Sequence, residues 1–311
     1  MTNPLPPRTI GSNATGLDET GDQQSVAQIF DRGYRRYEGE RSGVRGAIRS
    51  LVNHSLRHAM GIGRSARYKI IALLIVVMSY VPAVVFVGVA ALIPIETEEF
   101  LPTYAQYYGF VAATIYLMAG FTSPELLCSD RRNGLLGVYL ASPLTRVTYL
   151  IGKAIAVFIM LLFVTLGPPL LMLIAFSLQN MGPDGFVEWI QVFFRIIVSS
   201  LLIGGLYTAI SMAIAASSDR VTVATAAILA IIPGSAVVTD RLVIDAGLAP
   251  EFNLANLMFL PRAMVFRVHG ESGGWPVNGN PSYTMVLAWV FWFALSVAWV
   301  WYRYRRLLVR R

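Results

Sequence analysis

Six stretches of this chain are each apolar over about the 20 residues that a helix needs to cross a hydrocarbon core roughly 30 Å thick. They run approximately over residues 70–93, 104–121, 149–176, 189–216, 221–243 and 283–302. In lipid no water is at hand to satisfy a bare backbone amide, so such stretches close their own hydrogen bonds as helices. The expected fold is an all-α integral membrane domain of six transmembrane helices. Composition agrees: 55% of the 311 residues are hydrophobic and 14% charged, against about 25% charged in soluble domains. The four residues SSDR at 217–220, between the fourth and fifth stretches, imply a tight turn at one membrane face.

Lys and Arg are retained on the cytoplasmic side of short loops, and their distribution sets the orientation. Eleven precede residue 70, Arg131, Arg132, Arg146 and Lys153 fall in the second loop, Arg220 in the fourth, and five lie from Arg303 onward, twenty-one of the 25. The first loop, IETEEF at 95–100, is acidic, and the third carries Asp184 and Glu188 with no cation before Arg195. Six spans with both termini cytoplasmic satisfy this bias. The expected organisation is a disordered cytoplasmic tail over 1–25 and a cytoplasmic segment over 26–69, then a transmembrane domain over 70–304 and a basic cytoplasmic tail over 305–311. Within that domain, 124–146 forms a cytoplasmic segment and 244–282 an extracellular one. The first apolar run starts too deep for a cleavable signal peptide. The net charge of +7 follows orientation signals and comes with no nucleic-acid reader motif, so no nucleic-acid partner is expected. Cys128 is alone and forms no intrachain disulfide.

Ahead of the first span, Ile48, Leu51, Val52, Ser55, Leu56 and Ala59 recur at helical spacing, with Arg45, Arg49, Asn53 and Arg57 largely on the other side. This pattern predicts an amphipathic helix with its apolar stripe, Leu51 and Leu56 included, in the acyl boundary and its arginines on anionic lipid. GIGRSARYK at 61–69 follows as a hinge. His54 and His58 stand at a zinc-compatible i, i+4 spacing, but a Glu after the first His and a third ligand are lacking and arginines flank them, so they read as part of a solvated polar face and no metal is expected.

Between the second and third spans, Pro124 and Pro143 bracket a segment that is charged at one end by Glu125, Asp130, Arg131 and Arg132 and apolar in its middle. Proline removes a backbone donor and clashes with the preceding turn. A separate short helix over 125–140 is expected, with Gly134 and Gly137 permitting close approach by another chain. On these residues alone an ordinary positive-inside loop remains an equal reading.

The order Glu125, Gly134, LASPLTR at 140–146 and YLIGK at 149–153 resembles the pattern of ABC-2 type transporter permeases, and FDRGYRRYEGER at 30–41 looks like a feature of actinobacterial members. The resemblance covers most of the chain from about Arg32. It implies an ABC-2 type (type V exporter-like) fold with an amphipathic N-terminal connecting helix, and a coupling helix between spans two and three that docks on a separate ABC ATPase subunit. On that reading Glu125, Asp130, Arg131, Arg132 and Gly134 form the ATPase-coupling element, and Pro143, Arg146, Gly152 and Lys153 set the turn into the third span. It also implies re-entrant helices between spans five and six, with LANLMFLPRAMVF at 254–266 dipping into the outer leaflet.

No GxxxxGK[ST] phosphate loop occurs in the sequence, so ATP and Mg are expected on the partner subunit and no cofactor on this chain. With six spans and no internal repeat, a second permease subunit, identical or related, is expected in the inner (plasma) membrane of a bacterial cell. The spans hold few ionisable residues, and Arg195 is expected to snorkel to the outer interface. Pro82, Pro233 and LGPPLL at 166–171 are expected to bend helices. The implied function is ATP-driven export of a hydrophobic or amphipathic substrate. An ion-coupled secondary transporter and a non-transporting membrane scaffold are the alternatives.

Overall fold

The computed structural model describes residues 43–92, 101–141, 143–271 and 282–307. The expected disordered tail over 1–25, the FDRGYRRYEGER stretch, the acidic loop, residues 272–281 and the last four residues lie outside them.

The described residues are helical and contain no strand. In chain order the helices are α1 (Gly43–Ala59), α2 (Ala66–Leu92), α3 (Tyr104–Phe110), α4 (Ala112–Arg132), α5 (Leu135–Ala141), α6 (Arg146–Thr165), α7 (Gly167–Leu178), α8 (Gly185–Ser217), α9 (Val221–Asp240), α10 (Phe259–His269) and α11 (Ser282–Leu307). Five units are long and apolar enough to cross a membrane, and α3 with α4, bent by 58°, supplies a sixth if the pair is one span. The chain therefore folds as a multi-pass membrane protein. Helix α8 is its axis: 72% of its most apolar window is buried, against 22% for α2 and 17% for α11. Leu73, Val84, Phe291 and Leu287 accordingly point away from the body of the chain.

Pro124 does not end a helix. Helix α4 runs through it to Arg132, and the expected element over 125–140 is instead the last part of α4 and the short α5, joined through Gly134 at φ +67°. A proline at 124 deprives the Gly120 carbonyl of its partner. The Thr225 hydroxyl of α9 donates to that carbonyl at 2.8 Å, the kind of repair by a neighbouring helix that makes proline tolerable in a membrane. Pro82 and Pro233 likewise lie inside α2 and α9. At LGPPLL the helix does break: Pro168 and Pro169 open α7, yet α6 and α7 still count as one span. Gly167 at that joint leaves room for the Tyr80 hydroxyl of α2.

Helix α1 carries the expected amphipathic pattern but meets protein as well as any lipid. Leu51, Ser55 and Ala59 are buried, Ile48, Val52 and Leu56 half-buried, and Arg45, Arg49 and Arg57 exposed. The stripe settles on α6, where a Cβ on Gly152 would stand 2.8 Å from Leu51 Cδ2. Gly152 and Lys153 thus belong to the body of α6, not to the turn before it. The turn holds Pro143, exposed, and the Thr145 cap that starts α6 at Arg146, through a reciprocal bond with Thr148. The reason is length: a polar turn satisfied by its own cap ends at residue 145, and the apolar period of α6 starts at once.

After α9 the chain folds back on itself. A π-turn over Arg241–Asp245 and a 3-10 turn over Pro250–Ala255 lead into α10. The Tyr207 hydroxyl donates to the Leu257 and Met258 carbonyls at 3.2 and 3.3 Å, the Leu257 amide to Ser235 Oγ at 2.9 Å, and Trp292 Nε1 to the Leu254 carbonyl at 3.1 Å. Asn256 Oδ1 accepts the Met258 and Phe259 amides, capping α10. Tyr207 lies roughly 15 Å along α8 from Ser217 at 1.5 Å per residue, so this re-entrant turn sits deep between the helices. Arg195, rather than snorkelling freely, donates to the His269 carbonyl at the end of α10 at 3.2 Å.

Replacing Gly152 by Val should lower stability by about 1–3 kcal/mol through overpacking against α1. Melting in detergent checks it, and adding Leu51→Ala to the same chain should recover most of the loss. If G152V alone leaves the midpoint unchanged, α1 is not seated on α6.

Candidate functional site

The C-terminal half of α4 is apolar on most sides yet ends in a run of charges, and burying it requires a partner for each. Glu125, near the middle of that half, receives Arg64 Nη1 at 2.8 Å, with His58 Nε2 at 3.9 Å. Arg64 comes from the Gly-rich link after α1, whose turn is tight because Gly61, at φ +72°, leaves no room for a Cβ beside the Lys69 backbone. Arg64 also stacks on Tyr68, its guanidinium carbon 3.6 Å from the ring centre. One turn further along α4, Asp130 Oδ2 pairs with Lys153 Nζ of α6 at 2.7 Å and accepts the Tyr149 hydroxyl at 2.9 Å. Lys153 is only 1% exposed. The Tyr139 and Tyr149 rings flank its ammonium at 5.5 and 5.7 Å.

Arg131, about 100° further round α4 than Asp130, turns toward α8. A helix C-terminus leaves carbonyls without partners, and the α8–α9 turn presents three of them: Arg131 donates to Ala216 at 2.7 Å, to Ala215 at 2.6 Å and to Ser218. Asp219 lies 3.4 Å from its Nε. The Cys128 thiol donates to the Ser218 carbonyl at 3.1 Å. From α11, Arg303 reaches the Ser217 carbonyl at 3.2 Å and Trp299 the Ser217 hydroxyl at 2.8 Å, while the buried Tyr304 ring lies beside Arg131 and Tyr149. Together these contacts tie α1, α6, the α8–α9 turn and α11 to one helix end.

Of the five coupling residues expected from the sequence, Glu125, Asp130 and Arg131 are therefore internal ties. Arg132 and Gly134 face outward, and α5 presents exposed Val138 and Leu135 beside them. Lys153, expected at the turn, is instead the partner of Asp130. His58, expected on a solvated face, is half-buried against Glu125, while the interfacial-helix residues Arg45, Arg49 and Arg57 remain exposed. Arg64, Tyr149, Asp219, Arg303 and Tyr304 carried no local signal as members of one cluster. Among the described residues no group of three or more His, Cys, Asp or Glu side chains is placed to hold a metal ion. The arrangement is ionic: the buried carboxylates of Glu125 and Asp130 each hold a cation.

Burial lowers the His58 pKa from its usual 6.5, the Arg64 charge lowers it further, and Glu125 opposes both, with lesser effects from Lys153 and Asp130. Burial, then the Asp130 charge, pushes the Tyr139 phenol up to about 12, which keeps it protonated.

Compared with known proteins, the chain matches no family model and no curated protein.

Breaking the Asp130–Lys153 pair from one side leaves a buried charge, which costs about 3–5 kcal/mol. Asp130→Asn and Lys153→Met should each lower the detergent melting point, and the double variant should fall by less than the two combined. Simple additivity would mean that the two side chains do not form a pair. His58 gives a separate test. Its folded-state pKa lies below the unfolded value of 6.5, so the folded form resists protonation: stability is full above pH 6.5 and is lost as pH falls through the lowered folded value. His58→Gln should flatten the melting point's dependence on pH below 6.5 relative to His54→Gln. Equal slopes in the two variants would remove His58 from the junction.

Proposed function

We propose that this chain is the transmembrane subunit of an ATP-driven exporter of a hydrophobic or amphipathic molecule, with ATP hydrolysed by a separate subunit. The observation that carries this reading is mechanical. The exposed, partly apolar α5 follows directly on a helix end whose ion pairs and hydrogen bonds grip four other parts of the chain. A partner pressing on Arg132, Gly134 and Val138 would move α4, and with it α1, α6, the α8–α9 turn and α11. Nucleotide supplies work to such a device through its differential affinity for two states of the complex.

The resemblance of Glu125, Gly134, LASPLTR and YLIGK to ABC-2 permeases supports the same reading, as does the lack of a phosphate loop in the sequence. On it, the face bearing α1 and α5 is cytoplasmic, both termini are inside, and the membrane is the inner membrane of a bacterial cell. A second permease copy or a related subunit would cover part of the apolar surface that α2, α9 and α11 leave outward, two-fold pairing being the commonest arrangement.

An ion-coupled carrier is the second reading, and one observation favours it: the acidic side chains Glu125 and Asp130 and the cation Lys153 are buried among the helices. Against it, each carboxylate already holds a cation within 2.8 Å, so neither is free to take a coupling ion.

The test uses outward-facing residues, since Arg131→Glu would break the junction itself. Co-expressed with a candidate ABC ATPase subunit and reconstituted, an Arg132→Glu, Val138→Asp chain should keep wild-type melting and lose ATPase binding and permease-dependent ATP turnover. The carrier or scaffold readings take over if no ATPase associates with the wild-type chain, and α5 is not the contact if the variant couples normally.

A further inference from the structure

Four of the 25 Lys and Arg residues, Arg195, Arg241, Arg262 and Arg267, lie in the part of the chain assigned away from α1. Arg195 is bonded to the His269 carbonyl and Arg241 is paired with Asp245 at 2.8 Å. Arg262 differs. It stands in the first turn of the re-entrant α10, half-buried, and among the described residues it makes neither an ion pair nor a hydrogen bond, its Nε being wholly buried without a partner. The Phe266 ring lies 5.6 Å from the guanidinium carbon.

An arginine placed in this way is costly unless it serves an anion, and the surroundings are built around it. Gly109 of α3 gives the guanidinium its space: a Cβ there would lie 2.8 Å from Nη2. The guanidinium borders a cavity of about 50 Å³ between α3, α4, α8 and α10, whose walls include Tyr108, Tyr116, Tyr207 and Phe259. A single water needs roughly 10–15 Å³, so the space has room for a group larger than one water. No Asp or Glu lines it. Tyr116 and Tyr207 meet edge to face at 5.4 Å, and Tyr108 is fixed by Ser200 at 3.0 Å, so the aromatic wall is pre-formed. The start of α10 adds the positive end of a helix dipole on the same side.

We propose that this cavity binds the anionic headgroup, phosphate or carboxylate, of an amphipathic molecule, with the Arg262 fork as its bidentate donor. The aromatic and aliphatic wall, Ile115 and Ile203 included, takes the first methylenes of the tail. As a substrate site this rests on the exporter reading above; as a binding site it stands on the cavity alone. The class of molecule moved would then be an acidic amphiphile rather than a neutral or cationic one.

The test is binding to the purified full chain in a neutral detergent, with no ATPase present. The probes are dioctanoyl phosphatidate, dioctanoylglycerol as the neutral match, and inorganic phosphate as the free anion. An Arg45→Gln, Arg49→Gln, Arg57→Gln background removes headgroup binding by the exposed face of α1. In that background phosphatidate should bind and the neutral lipid should not. Arg262→Gln should weaken phosphatidate by about tenfold or more, Arg262→Lys by less, since the charge stays and the fork goes. Because Arg262 has no internal partner to lose, R262Q should keep the parent's melting point. Should R262Q misfold, Gly109→Ala, whose methyl displaces the guanidinium without removing it, should still weaken binding. Unchanged phosphatidate affinity in R262Q or, failing its fold, in G109A overturns the site. Competition by inorganic phosphate as potent as the lipid overturns the headgroup assignment and leaves a free-anion site. A chain that binds phosphatidate through Arg262 but recruits no ATPase retains the site and loses the exporter reading; one that couples to an ATPase and binds no phosphatidate does the reverse.

Discussion

The ion pair between Asp130 and Lys153 is the contact on which the arrangement of the helices most depends. Two charges taken out of water must satisfy one another or be neutralised. Here they meet at 2.7 Å, with the Tyr149 hydroxyl supplying a further donor to the carboxylate. That geometry fixes α4 against α6 in both rotation and register, since a shift of one residue along either helix would carry the pair out of reach. With Asp130 held, Arg131, about 100° further round the helix, is presented to the carbonyls that end α8. Glu125, more than a turn earlier, is then presented to Arg64 and His58.

The two ends of the helix bundle use different chemistry as a result. On the side of α1, charge is abundant and the buried carboxylates are paired, so that side is an ion-paired joint with an exposed appendage in α5. On the side of α10, the contacts are tyrosine and tryptophan donors to carbonyls of an inserted turn, and Arg262 Nε is buried without a hydrogen-bond partner among the described residues. Rigid ties suit the transmission of a push, and an unmatched donor suits the capture of a ligand. Both properties follow from where polar groups could be satisfied once the helices were packed.

Bare backbone groups impose the same discipline. Pro124 frees the Gly120 carbonyl in a setting without water, and Thr225 from α9 restores the bond. The proline is thus accommodated only because α9 lies against α4. The re-entrant turn is tolerable for a like reason, with Asn256, Ser235 and Tyr207 meeting its open amides and carbonyls.

The sequence by itself determined that the chain is helical and multi-pass, because runs of some 20 apolar residues allow little else in lipid. It also determined the amphipathic phase of α1, from Leu51, Ser55 and Ala59 on one side and Arg45, Arg49 and Arg57 on the other, and the tight turn after Ser217. It placed charge at the end of α4, yet it read Pro124 as a break, and it did not show that Glu125, Asp130 and Arg131 are each tied within the chain. Only the tertiary structure decided those points, since a helical period says which residues share a face and nothing of what that face meets. Lys153 looks from the sequence like a loop cation and becomes a buried one because Asp130 is 2.7 Å away; Arg262 looks like one more arginine near a proline and becomes a candidate binding residue because among the described residues its buried Nε has no partner. Pairings between residues distant in sequence are set by packing, and a buried charge takes its meaning from its partner.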